Sequence, residues 1–171
     1  MEIAKVGENC LRIKGKNATI IVDPSQKGGP ADIALALKKA FSFPPTQGVR
    51  LTVVGAGEYE VGGVKVSGID GGAELVYAGE IDGTRFVLGY CLAIEKTISS
   101  LDETPVAIIN VSGSFNPSII AALSPQVCVL YGPQIEEALA ALGKKDLPKV
   151  SKYSVKVDKL ASEGEEIVVL D

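Results

Sequence analysis

The hydrophobic pattern changes period near residue 90, and that change limits the fold more than any other feature of the chain. Before it, short apolar runs alternate at period two and are separated by turn residues. Cys10–Lys14 reads CLRIK, Gly15-Lys16-Asn17 turns, and Ala18–Val22 reads ATIIV. Side chains two apart share one face of a strand, so such runs each present an apolar face. Glu58–Val61 and Val64–Val66 flank Gly62-Gly63, and Asp82-Gly83 joins Glu74–Ala78 to Arg85–Leu88. Both dipeptides are two-residue hairpin signals. Ile3–Val6 and Arg50–Val54 complete the strands of this half.

After residue 90 helical spacing enters. Ile94, Ile98 and Leu101 share a helix face, and Asn116-Pro117 opens a helix carrying Ile119, Ile120 and Leu123. Pro133 opens another, with Ile135, Leu139 and Leu142 inward and Gly143 as its stop. Lys144-Lys145 complement the dipole at that end. Val106–Val111 and Val127–Leu130 lie between these helices and are apolar enough for buried parallel strands. Strand, helix, strand, helix implies a βαβ crossover. Tyr153–Val157 and Glu166–Leu170 add strands, and residues 1–171 read as one α+β domain.

Within the first half, Ala31–Phe43 (ADIALALKKAFSF) decides where chemistry can sit. Ile33, Leu35 and Leu37 alternate, which suits a buried strand over Ala31–Leu37; an amphipathic helix is the rival local reading. As a strand, its C-terminal loop is Lys38–Phe43, and functional groups gather at such ends in layered α/β folds. That loop holds no nucleophile–base pair and no set of metal ligands.

The chain has no histidine. This closes Ser-His-Asp and Cys-His catalysis and histidine-based zinc sites to the chain's own residues. A net charge of −4 speaks against a general nucleic-acid binder. Cys10, Cys91 and Cys128 form no CxxC and read as buried, reduced thiols. MEIAKVGENCLRIKG lacks the continuous apolar segment of a signal peptide, and no apolar run reaches membrane-spanning length, so a cytoplasmic location is expected. Gly55–Gly63 (GAGEYEVGG) lacks the rest of a dinucleotide fingerprint, and hairpin turns account for its glycines. Val111–Ser118 (VSGSFNPS) precedes a helix, where capping outweighs an anion site. Asp23-Pro24 ends a buried strand, and a carboxylate there most often bonds nearby backbone N–H groups.

The order of these phrases resembles the metallo-β-lactamase superfamily, in particular its small lactonase-like hydrolases of the ascorbate-phosphate lactonase type. The phrases are MEIAKVGENCLRIKG, IIVDP, PADIALAL, GEYEVGGVKV, RFVLGY, NVSGSFN and SPQVCVLYG, and together they cover nearly the whole chain. The resemblance implies an αββα sandwich, two mixed β-sheets flanked by helices, with zinc at one edge. It also implies where ligands would stand. The family's Gly-His-Ser becomes Gly7-Glu8-Asn9, and its Asp-Pro is kept as Asp23-Pro24. Its His-x-His-x-Asp-His falls on Lys38–Phe43, so Lys38 and Ala40 take the first two ligand positions and Ser42-Phe43 the Asp-His pair. Its bridging Asp becomes Tyr90, and its last His falls near Tyr131-Gly132. The same register favours a strand over Asp32–Leu37.

The expectation is therefore a scaffold without its metal: a non-catalytic protein, with no cofactor, that acts by binding. Its cleft would be lined by Glu8, Asp23, Lys38, Lys39, Tyr90 and Asn116, and would take a small anionic ligand or a protein partner. Equally, Phe41 and Phe43 could close that cleft and leave only outer surfaces or a homo-oligomer contact. An enzyme alternative gathers Glu8, Asp23, Glu58 and Glu60 into an oxygen-only Mg²⁺ or Mn²⁺ site. A third is a structural subunit pairing with an active, histidine-bearing relative, recognisable by a large exposed apolar patch.

Overall fold

The computed structural model describes residues 1–25, 29–144, 147–155 and 165–171. In chain order its strands begin with β1 (Glu2–Lys5), β2 (Leu11–Lys14), β3 (Thr19–Val22), β4 (Ile33–Leu35) and β5 (Leu51–Val53). A meander follows: β6 (Gly57–Val61), β7 (Val64–Asp70), β8 (Leu75–Ile81) and β9 (Thr84–Tyr90). Then come α1 (Cys91–Thr97, continued by a 3₁₀ turn over Ile98–Ser100), β10 (Val106–Asn110), α2 (Ser118–Leu123), β11 (Val127–Tyr131) and α3 (Ile135–Ala141). Three further strands close the series: β12 (Lys149–Val150), β13 (Lys152–Ser154) and β14 (Glu166–Leu170).

Two mixed sheets result. One has six strands, ordered β13-β1-β2-β3-β4-β5, and the other eight, ordered β12-β14-β11-β10-β9-β8-β7-β6. In the first, β1, β2 and β3 pair antiparallel and β3, β4 and β5 parallel. In the second, the β6–β9 meander is antiparallel and β9, β10, β11 and β14 are parallel. Both expected hairpin turns carry positive φ at their two central residues: Gly62 +61° and Gly63 +79°, Asp82 +53° and Gly83 +74°. That double positive φ is the requirement of a type I′ turn, whose twist matches the paired strands.

The inner faces meet in one core. Ile3, Ile13, Ile20, Leu35 and Val53 of the six-stranded sheet join Val66, Tyr77, Phe86 and Leu88 of the other. Each fully buried aliphatic or aromatic side chain there is worth about 1.5–3 kcal/mol of transfer free energy, which makes this contact the main force between the layers. The crossover is as expected: Val106–Asn110 pairs in parallel with both Phe86–Tyr90 and Val127–Tyr131.

The helices are short and distributed on one side. All three connect parallel strands of the eight-stranded sheet, and among the described residues none lies between strands of the six-stranded one. The expected sandwich of two mixed β-sheets with helices is present, with the helices connecting strands of the eight-stranded sheet. On the outer side of the six-stranded sheet, Phe43 and Val49 of a long loop pack on Cys10, Ile21, Ala31 and Ala34 instead. Phe41 meets Phe43 edge to face, with ring centroids 4.9 Å apart. Phe43 thus covers the outer side of this sheet.

The Ala31–Leu37 segment is extended, not helical, but its strand proper spans only Ile33–Leu35. Past that point it changes sheets. Ala36 N–H donates to Val53 O at 3.0 Å, then Leu75 N–H donates to Leu37 O at 2.8 Å and Lys39 N–H to Ala73 O at 3.2 Å. This short segment ties the two sheets together at one end of the sandwich. Parts of the expected 25–30 loop, the Lys144-Lys145 pair and the Tyr153–Val157 strand fall outside the described residues.

Candidate functional site

Five strands deliver their C-terminal ends to the place where the sheets are tied. Asp23 follows β3, Leu37 and Lys38 follow β4, and Tyr90, Asn110 and Tyr131 are the last residues of β9, β10 and β11. Strand ends of this kind leave side chains converging beyond the last ladder bond, which is why layered folds place ligands there.

Asp23 is the keystone of the end. It is 8% exposed and adopts φ +43°, a left-handed conformation that Asp tolerates because its short side chain bonds locally. Its N–H donates to Leu35 O at 2.9 Å, and its Oδ1 accepts the Leu37 N–H at 2.8 Å. The carboxylate therefore clasps the end of β4, as a strand-end Asp is expected to do. Burial pushes its pKa up to about 6, against the lowering effect of the Leu37 N–H and of the Lys38 charge.

Lys38 projects from the clasped segment and is exposed. Its ammonium lies 5.4 Å from the Tyr90 ring centroid, within cation–π range. Tyr90 is 6% exposed, and desolvation, with the charges of Asp23 and Glu74, pushes its phenol well above the ordinary value. Beneath lie Asn110 and Tyr131, both fully buried. The Asn110 amide stands beside the Tyr131 hydroxyl, yet the two form no aligned hydrogen bond, and neither finds another partner among the described residues. Burial dominates the upward shift of the Tyr131 phenol. Unpaired buried polar groups of this kind cost about 1–3 kcal/mol each. Their place at the strand ends marks the site more clearly than any exposed charge does.

The structure thus brings together three of the six expected residues: Asp23, Lys38 and Tyr90. Lys39 turns away and holds both Asp70 carboxylate oxygens at 2.7 Å. Asn116 donates to Glu95 Oε1 at 2.6 Å and accepts the Ser118 N–H at 3.0 Å, so it fastens the start of α2 to α1. Glu8 is exposed on its loop. Tyr131 stands where the family resemblance puts the last His; Asn110 was not singled out from sequence, and its signal was a polar residue ending the apolar run VAIIN.

The residues present do not fit a metal. Among the described residues no three His, Cys, Asp or Glu side chains are grouped to hold an ion. At the end itself the Asp23 carboxylate already accepts a backbone N–H, Glu74 stands alone beside Lys38, and the neighbouring ammonium repels a dication. The oxygen-only set is not grouped among the described residues: Glu58 and Glu60 are exposed on β6, the edge strand of the eight-stranded sheet, whereas Asp23 follows β3 of the six-stranded sheet. A large apolar patch is also missing among the described residues, where Val54 and Leu92 are the exposed large hydrophobics. No described helix is long and apolar enough to cross a membrane.

Comparison with known proteins bears on the fold. No family model and no curated protein matches the chain. Among solved structures, a Thermotoga maritima protein assigned to the Zn-dependent hydrolases of the metallo-β-lactamase superfamily superposes with a TM-score of 0.75. The match covers 99% of this chain and 98% of that one at 18% identity. A Parabacteroides distasonis protein assigned as a metal-dependent hydrolase gives a TM-score of 0.64 at 15% identity, over 98% of this chain and 91% of that one. The metallo-β-lactamase fold protein YhfI from Bacillus subtilis gives 0.61 at 7% identity, over 99% and 96%. The chain has the metallo-β-lactamase fold over its full length.

Proposed function

We propose that this protein is a metal-free, non-catalytic member of the metallo-β-lactamase fold that binds a small anionic ligand at the strand ends around Lys38. The order of sequence phrases supports a place beside the small lactonase-like hydrolases. One observation carries the reading: where the family resemblance puts the first metal ligand, this chain presents the Lys38 ammonium, held 5.4 Å over the Tyr90 ring. The surroundings suit an anion. Lys38 supplies a mobile positive charge with three donors. The Tyr90, Asn110 and Tyr131 groups beneath it are neutral at physiological pH. Asp23 and Glu74 bring negative charge to that end, and the raised pKa of Asp23 lets it shed its share at mildly acidic pH.

A zinc-based hydrolytic step has no place in this account. The family's nucleophile is a metal-bound water brought to a pKa near 7, and the donor set here does not fit the metal. The chain's residues can bind and orient an anion, but they pair no nucleophile with a base.

The test is a thermal-shift screen over inorganic phosphate, nucleotides and sugar phosphates. A ligand should stabilise the wild type and lose that effect in Lys38→Glu, whereas Lys39→Glu should keep it, because Lys39 is committed to Asp70. A screen with no shift, or equal loss in both variants, would remove the proposal.

A further inference from the structure

The outer face of the β6–β9 meander carries a groove of about 690 Å³ that the strand-end site does not use. Its floor is set by strand register. One cross-strand row reads Glu60–Lys65–Glu80–Arg85, acid and base alternating. The next row reads Glu58–Ser67–Ala78–Val87. Between its acidic end and Val87 this second row is a trough of small side chains, and Leu101 contributes apolar surface at the far wall. That wall is the segment after α1, which also places Asp102 and Glu103, both exposed, on the groove. Thr104 stands beside them, 5% exposed, and its hydroxyl has no partner among the described residues.

The charges are arranged at two poles. Glu58 and Glu60 stand at the β6 edge; Asp102 and Glu103 stand beyond β9. Lys65 and Arg85 each fall next to a carboxylate in the alternating row, with Glu60 and Glu80 as their register neighbours. None of the charged groups on the groove forms an ion pair among the described residues, and its five carboxylates, Glu58, Glu60, Glu80, Asp102 and Glu103, outnumber Lys65 and Arg85. Three strand spacings separate β6 from β9, about 14 Å. A volume of this size lies within the range of small-molecule sites.

We infer that this groove binds a linear organic cation charged at both ends, a polyamine or long α,ω-diamine. Its methylene chain lies along the Ser67–Ala78–Val87 trough, with one ammonium at Glu58 and Glu60 and the other at Asp102 and Glu103. The spacing of the poles selects ligand length, and the trough selects an apolar spacer. Neither the fold nor the anion site at the strand ends calls for this arrangement, so the two proposals stand or fall separately.

Isothermal titration at fixed ionic strength, with spermine and linear α,ω-diamines of increasing methylene count, tests it. Affinity should peak for a diamine that spans the poles. It should fall about fivefold in Glu58→Gln/Glu60→Gln and again in Asp102→Asn/Glu103→Gln, since an exposed ion pair is worth up to about 1 kcal/mol. Ala78→Lys, which puts a cation in the middle of the trough, should abolish binding while thermal unfolding shows the protein folded. No binding, or affinity that follows ligand charge alone and ignores spacer length and these substitutions, would overturn the inference.

Discussion

Strand β9 contributes to two regions with opposite chemistry. Its last residue, Tyr90, lies in the strand-end site, and its second, Arg85, lies in the meander groove. At the strand ends there are few charges, and Asp23, 8% exposed, is strongly perturbed by burial, with its pKa pushed up to about 6. In the groove charges are many and exposed, arranged in rows that solvent screens. On the proposed readings, polar groups at the strand ends govern stability as well as binding, and those of the groove govern binding almost alone, because an exposed ion pair contributes little to folding.

The largest effect expected from this contrast is at Asp23. Its pKa is raised in the folded state, so the native protein holds a proton that the unfolded chain releases. Stability should fall as pH rises from about 4 to about 6, and level off above. Asp23→Asn keeps an acceptor for the Leu37 N–H and removes the titration. Relative to wild type, the variant should gain up to about 3 kcal/mol between pH 4 and pH 8. Urea unfolding of both proteins across that range checks this; parallel pH profiles would mean that Asp23 is not buried as described.

Next in size is Tyr77→Phe. The Tyr77 hydroxyl donates to Ala36 O at 2.8 Å and lies 3.3 Å from Val53 O, inside the joint between the sheets. Its loss should cost about 1–2 kcal/mol in the same unfolding measurement. A cost near zero would show that water already serves those carbonyls. Smaller still is Lys38→Met, which removes an exposed cation–π contact. It should cost at most about 1 kcal/mol of stability while abolishing the anion-induced thermal shift. At the bottom of the scale, Glu58→Gln/Glu60→Gln should leave unfolding within about 0.5 kcal/mol of wild type. A larger loss would mean that β6 depends on those carboxylates and would blur the contrast between the two regions.

Much of this was legible in the sequence, because it rests on local rules. Period-two runs with Gly62-Gly63 and Asp82-Gly83 between them specify hairpins. Apolar runs separated by capped helical segments specify the crossover. The strand-end role of Asp23 followed from Asp-Pro after a buried run. What was not legible depends on contacts distant in sequence. Leu37–Lys39 pairs with Ala73–Leu75, so the strand over Ala31–Leu37 stops at Leu35 and changes sheets. Lys38 and Lys39 look alike in the chain, yet the bridge to Glu74 sends neighbouring side chains to opposite sides, one to Tyr90 and the other to Asp70. Phe43 finds the back of the sheet because no described helix covers it there. Asn110 stood at the end of a run that read as a plain core strand, and only the parallel register sets it beside Tyr131, which the family register had already put near the last ligand position.

The central claim is that the strand ends hold a lysine and buried neutral polar groups where a metal would otherwise sit. Elemental analysis of tag-free protein, purified without chelator and then dialysed against zinc, tests it most directly. The account predicts well under one zinc per chain and no chelator-sensitive hydrolysis of a lactone or phosphodiester. About one zinc per chain, together with such hydrolysis, would contradict it.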